Sequence, residues 1–217
     1  MVTTNRDHVN HHDDNDDMMS NNQQIIHSWH PTDHSKNIYI KDDDPLTFYR
    51  RPARRSTDAI RGRCGFTDGY HAWKLKWLTP RGSHAVAGVG TKEAMLHCKG
   101  YTTLVEQDVE AWGWDMTNKI SYSLGKKSLT CYPSMAHDYQ SPSEIIVYLD
   151  MENGNLSFEA DGKYLGICCT GLNGKCLYPM VSEVYGNAEV SMIYLGKLLA
   201  LTNDQIQSYE IRLALKT

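Results

Sequence analysis

Several things are missing from these 217 residues, and each absence removes a class of function. No apolar run is long enough for a membrane span, and no stretch has the layout of a secretory leader. That reading places the chain in the cytoplasm, with its thiols reduced. An excess of positive charge is missing too. Lys and Arg total 22 against 26 Asp and Glu, a formal charge of −4, whereas nucleic acid demands a basic face. The run Arg50, Arg51, Arg54, Arg55, Arg61, Arg63 is short and broken by Pro52. The cysteines (Cys64, Cys98, Cys131, Cys168, Cys169, Cys176) form no C-x-x-C pair and no zinc-like spacing with histidine, so no metal is expected. Nucleophile elbow, P-loop and dinucleotide fingerprint are all absent, and no cofactor is implied. Gly88 and Gly90 follow a strand pattern, but no third glycine and no helix come after them. His84 has no Ser or Cys nucleophile at a recognised spacing and reads as a satisfied rim histidine. Asp115 and Asp150 stand at strand ends, where a carboxylate caps a turn. The chain does not read as an enzyme.

Phenylalanine is scarce, at three, but Tyr (thirteen) and Trp (five) are plentiful. Such side chains bury area while keeping a polar handle, which suits packed sheets and binding faces alike. Short runs with period-two alternation recur between Gly, Asn, Asp and Pro turns: 38–40, 46–48, 70–77, 84–89, 112–114, 120–122 and 190–194. The clearest is a hairpin. Ile145, Val147 and Leu149 alternate into Asn153-Gly154, read as a two-residue turn, and Leu156 and Phe158 alternate out of it. A further turn at Asp161-Gly162 returns the chain into Tyr164-Leu165-Gly166. Many short strands without intervening helices predict an all-β antiparallel sandwich. Residues 1–25, rich in His, Asp and Asn, cannot bury enough surface to order and read as a disordered tail. Thr202-Asn203-Asp204-Gln205 is a capping box, and Ile206, Tyr209 and Leu213 follow at helical spacing, so one short C-terminal helix is predicted over 203–215.

The hairpin Leu149-Asp150-Met151-Glu152-Asn153-Gly154-Asn155-Leu156-Ser157-Phe158 resembles the core motif of SPRY domains. The likeness extends through His27-Ser28-Trp29-His30-Pro31, Ile38-Tyr39-Ile40-Lys41, Ser56-Thr57-Asp58-x-Ile60-Arg61-Gly62 and Gly69-x-His71-Ala72-Trp73. It continues in Arg81-Gly82-Ser83-His84-Ala85-Val86, Trp112-Gly113-Trp114-Asp115 and Leu177-Tyr178-Pro179. Over residues 27–215 the chain resembles the SPRY-domain and SOCS-box proteins, the GUSTAVUS-like family. The resemblance implies a bent, concanavalin A-like jelly-roll sandwich over 26–200. It also implies a preformed surface at one end that binds a short Asp-(Ile/Leu)-Asn-Asn-Asn-type peptide in target proteins.

Carried over by position, that pocket falls on Arg50, Pro52, Arg81, Gly82, Ser83, Tyr101, Leu104, Val184, Tyr185 and Gly186. The glycines would let backbone groups approach, the tyrosines would flank the peptide, and Arg50 or Arg81 would offset its aspartate. Three neighbours depart from the family: Arg54 stands where Ala is usual, Tyr185 where Trp is usual, and Gln107 where a small polar residue is usual. The resemblance further implies a monomeric substrate-recognition subunit of a ubiquitin ligase, recruited to Elongin B/C and a cullin by a SOCS box. The sequence stops where that box would begin, so Elongin and cullin are expected only if a SOCS box follows. The alternatives are a stand-alone SPRY scaffold or decoy, or a lectin-like or glycosidase sandwich.

Overall fold

The computed structural model describes residues 20–134 and 142–198. Two antiparallel sheets face each other. The first runs in the order β1 (Trp29–His34), β4 (Ser56–Gly62), β14 (Tyr178–Val184), β6 (His84–Gly90), β8 (Ala111–Asp115), β9 (Ile120–Ser123) and β10 (Lys126–Cys131). A short β7 (His97–Lys99) pairs with the first half of β4, and β1 flanks the second half. The second sheet runs β13 (Lys163–Cys169), β12 (Asn155–Ala160), β11 (Glu144–Asp150), β5 (Tyr70–Trp77), β15 (Glu189–Leu198), β3 (Thr47–Arg50) and β2 (Ile38–Ile40). The expected all-β sandwich is what forms.

Alternation explains the filling between the sheets. Trp73, Leu75 and Trp77 point inward from β5, Val147 and Leu149 from β11, and Leu156 and Phe158 from β12. Trp112 and Trp114 meet them from β8, with Ala85, Ala87 and Val89 from β6. All five tryptophans are buried in this core, so tryptophan packs the sheets here. Replacing one by Ala costs roughly 3–5 kcal/mol. A smaller cluster covers the outer side of the first sheet: Ala59, Val86, Leu104, Val105, Ala111, Tyr122 and Met180. Its lid is a four-residue helix, α2 (Leu104–Gln107), which the strand pattern did not signal.

The two turns differ from each other. Asp161 (φ 53°) and Gly162 (φ 66°) join Ala160 directly to its partner Lys163, a two-residue turn with positive φ at both positions. Asn153-Gly154 is not such a turn. Asp150 pairs with Asn155, so Met151–Gly154 form a four-residue loop, and only Gly154 takes positive φ (67°). The Asp150 carboxylate opens the loop by accepting from the Glu152 and Asn153 amides at 3.0 and 2.9 Å.

Ordered structure also starts earlier than the composition suggested. A helix, α1 (Asn21–Ile26), is capped by Ser20, and the Gln24 side chain bonds both backbone groups of Tyr194 on β15, at 2.8 and 2.9 Å. Residues 1–19 and the predicted helix at 203–215 lie outside the described residues.

Candidate functional site

Three segments converge at one end of the first sheet: the β5–β6 loop, the β14–β15 loop and the turn before β4. Gly82 presses against the β14–β15 loop. A Cβ there would sit 2.0 Å from the Val184 carbonyl oxygen and 2.5 Å from that of Tyr185. Only glycine lets the two backbones meet. Ser83 then donates its amide to the Val184 oxygen at 3.0 Å. Tyr185 occupies the left-handed region (φ 50°) and stays half exposed. Its ring meets that of Tyr101 edge-on, with centroids 5.9 Å apart. The pair forms an exposed aromatic wall on the rim. Arg81, half-buried, donates to the Pro142 carbonyl and lies over the Trp77 ring. Gln107 bonds the Thr102 hydroxyl and steadies the loop that carries Tyr101. Pro52, Arg54 and Ser83 are exposed beside these groups.

Three of the expected contact residues do something else. Arg50 is 1% exposed, and its guanidinium is occupied: it pairs with Asp58 at 2.7 Å and donates to the carbonyls of Ser56 (2.9 Å) and Gly186. The Arg50 amide adds a bond to the Ala188 carbonyl at 2.7 Å. The expectation that Arg50 offsets a peptide aspartate is therefore corrected. Arg50 is a staple that shapes the 53–56 turn and the 186–188 loop from beneath. Leu104, the first residue of α2, is fully buried against the first sheet and is core. Val184 is buried as well, and only its carbonyl reaches the loops. The structure does bring together Arg81, Gly82, Ser83, Tyr101, Tyr185 and Gly186.

Two carboxylates that the pocket assignment missed hold the site up. Asp58 has no exposure and five side-chain partners: Arg50, Ser35 (2.6 Å), Asn37 (2.9 Å), Ser56 (3.0 Å) and His97 (3.2 Å). Burial pushes its pKa up, but these hydrogen bonds and Arg50 prevail and hold it below the usual carboxylate range. Glu183 is 2% exposed, and its Oε1 accepts the Gly82 amide at 2.8 Å. Its Oε2 is buried and makes no well-formed hydrogen bond, although the Ala188 amide lies close enough to pull the carboxyl's pKa down. Burial pushes the Glu183 pKa up to about 7, against the opposing pull of the Gly82 amide and Arg50. The signal for both was a strand whose charged residues interrupt an apolar pattern, as β4 does with Asp58 and Arg61.

Outside this end, the candidate chemical groups are structural. His84 Nδ1 lies 2.6 Å from the fully buried Asp115, whose other oxygen accepts the Thr117 and Asn118 amides at 3.1 and 3.3 Å. His84 and Asp115 thus close a turn. None of the six cysteines is in a disulfide, and no group of three or more His, Cys, Asp or Glu is placed to hold a metal among the described residues. Among the same residues no helix is long and apolar enough to cross a membrane.

The comparisons with known proteins agree with this architecture. A family model described as the SPRY domain matches residues 70–196. The human SPRY domain-containing SOCS box protein 1 is 46% identical over 180 residues, covering 81% of this chain and 66% of the relative. Protein gustavus of Drosophila melanogaster is also 46% identical over 180 residues, covering 81% and 64%. The F-box/SPRY domain-containing protein 1 of Drosophila virilis is 45% identical over 173 residues, covering 79% and 68%. The chain thus spans about two thirds of the length of these relatives. Among solved structures, the SPRY domain of human HERC1 superposes with a TM-score of 0.61 at 16% identity, covering 77% of this chain and 98% of that one. The TRIM65 PSpry domain gives 0.59 at 12% identity, covering 77% and 89%. Identity near one half over about four fifths of the chain reflects common descent, and the chain belongs to the SPRY domain family, as a homologue of the SPRY domain-containing SOCS box proteins.

Proposed function

We propose that this chain is a non-catalytic recognition module that grips a short Asp-(Ile/Leu)-Asn-Asn-Asn-type peptide in a target protein. The observation that carries the reading is the rim itself. A Tyr101–Tyr185 wall stands beside two backbones pressed together at Gly82, with Arg81 and Arg54 nearby. An asparagine-rich peptide needs donors and acceptors at close range, and the phenol hydroxyls of the exposed Tyr101 and Tyr185 can supply them. With Arg50 committed to Asp58, Arg81 becomes the cation nearest to hand for the peptide's aspartate. Tyr185 in place of the family's Trp gives a smaller wall, and Arg54 in place of Ala adds charge, so the preferred peptide is one with acidic flanks.

The relatives' names join the SPRY domain to a SOCS box or to an F-box. On this reading the chain supplies the substrate-recognition half of a ubiquitin ligase. A SOCS box in the full protein would recruit Elongin B/C and a cullin. The module acts in the cytoplasm as a monomer.

Calorimetry with an Asp-Ile-Asn-Asn-Asn peptide tests the reading. Binding is expected, and Tyr101→Ala should weaken it by about 2 kcal/mol, as loss of an aromatic anchor does. Folded protein that gives no heat at high concentration would overturn the assignment.

A further inference from the structure

Beside the peptide rim lies a groove of about 560 Å³ between the 36–37 turn, the 53–56 turn and β7 with its following Gly100. Lys36, Arg54, Arg55 and Lys99 line it, and no Asp or Glu does. None of these four cations has a carboxylate within 4.0 Å among the described residues, whereas Lys41, Arg50, Arg61, Lys92 and Lys197 each have one. Asp58, which bonds the lining residues Asn37, Ser56 and His97 from beneath, is already neutralised by Arg50 at 2.7 Å. Four like charges thus face one concavity in a chain whose net charge is −4. They repel one another, and an anion between them would relieve that repulsion.

The groove is also built, not a chance meeting of surface lysines. Arg55 is held at φ 52°, in a region costly for a side-chain-bearing residue, and its carbonyl accepts the Gly100 amide at 2.9 Å. That bond ties the 53–56 turn to β7. The floor is polar and fixed: Asn37 donates to Ser56 (3.1 Å) and to Asp58 (2.9 Å). His97, also lining the groove, has Nδ1 within 3.2 Å of two acceptors, Asp58 Oδ1 and the Thr57 carbonyl. These two contacts fix the His97 ring against the floor.

We infer that this groove binds a phosphate monoester, carried by a phosphorylated serine or threonine of the target next to the peptide held at the rim. A single carboxylate would leave most of the wall uncompensated. A phosphomonoester brings a charge of about −1.5 to −2 and three acceptor oxygens. The position of the phosphorylated residue rests on the proposed peptide recognition, and the groove shares Arg54 with that rim; a probe without the Asp-(Ile/Leu)-Asn-Asn-Asn-type motif keeps failure of the groove distinguishable from failure of peptide binding.

The test is a titration of the isotope-labelled chain, followed by amide NMR, with N-acetyl-O-phosphoserine amide. The aspartate and serine analogues run in parallel. Saturable shifts are expected at residues 36–37, 53–56 and 97–100, with phosphoserine at least about tenfold tighter than aspartate. The doubly substituted chain Arg54→Ala, Lys99→Ala alters only exposed side chains and should keep the parent spectrum elsewhere while binding about tenfold more weakly or worse. Equal response to aspartate, shifts spread over Lys126, Lys127 and Lys163, or unchanged binding by the double variant would each overturn the inference.

Discussion

Replacing Glu183 by Gln should make the protein more stable in mild alkali and remove a specific part of its pH dependence. The ordinary glutamate value is near 4.5, and burial raises that of Glu183 to about 7. The gap corresponds to about 3 kcal/mol between the two protonation states. Its sign follows from proton counting. Below about pH 4.5 the carboxyl is protonated in the folded and unfolded chain alike, and no penalty exists. Between about 4.5 and 7 the unfolded chain has released the proton and the folded chain keeps it, so folding takes up a proton and stability falls as pH rises. Above about 7 the full penalty stands. Glu183→Gln keeps an oxygen for the Gly82 amide but cannot ionise. Its NH₂ faces the Ala188 amide as a second donor in a buried place, which offsets part of the gain. The variant should therefore gain about 1–3 kcal/mol at pH 8 and little or nothing at pH 5. His27 and His71 act in the opposite sense, because burial holds their pKa values down and stability is lost as pH falls. Subtracting the variant's profile from the parent's cancels both. Urea denaturation at closely spaced pH values gives the two profiles. Parallel curves from pH 5 to 8, or a variant that loses stability at the alkaline end, would refute the reasoning.

Asp58→Asn leaves the Arg50 guanidinium buried without its counter-charge and should cost roughly 3–5 kcal/mol in denaturant melts, with peptide affinity lost along with the loop shape. Gly82→Ala forces a Cβ against the Val184 carbonyl, so the Ser83 amide should lose its protection from hydrogen exchange and peptide binding should weaken, while the sandwich core melts nearly as before. Gly162→Ala meets nothing within 4 Å, so its cost should be the conformational one alone, about 1 kcal/mol by chemical denaturation.

Strands whose inward positions carry large apolar side chains could be read directly from the sequence. In Tyr70–Trp77 and Ile145–Leu149, Trp73, Leu75, Trp77, Val147 and Leu149 recur every second residue, while the outer face is covered by a smaller cluster of Tyr70, Ala72, Tyr148 and Tyr164. Strands β4 and β14 could not be read this way. They lie mid-sheet, are covered on both faces, and carry Asp58, Arg61 and Glu183 where alternation would place apolar side chains. Strand β10 hid for the opposite reason, since almost every residue of it is exposed at the sheet's edge. The hairpin loop was misjudged because Asp150, and not the Asn-Gly pair alone, sets its length. At the candidate site, Tyr101 and Tyr185 are exposed and Gly82 is close-packed. The direction of Arg50 was not legible. Whether an arginine on a strand faces solvent or turns inward depends on a partner across the fold, and Asp58 and the Gly186 carbonyl supply it.

That inward-turned arginine has an evolutionary consequence. The loops at this end take their shape from a buried ionic staple, while the side chains proposed to meet a ligand project from the outside of it. Form and contact are therefore set by different residues. Arg54 can be exchanged for other types without disturbing the backbone that presents it, and under the proposed function such an exchange would alter selectivity at little cost in folding. A scaffold organised in this way can acquire new targets by drift along its rim, one exposed residue at a time.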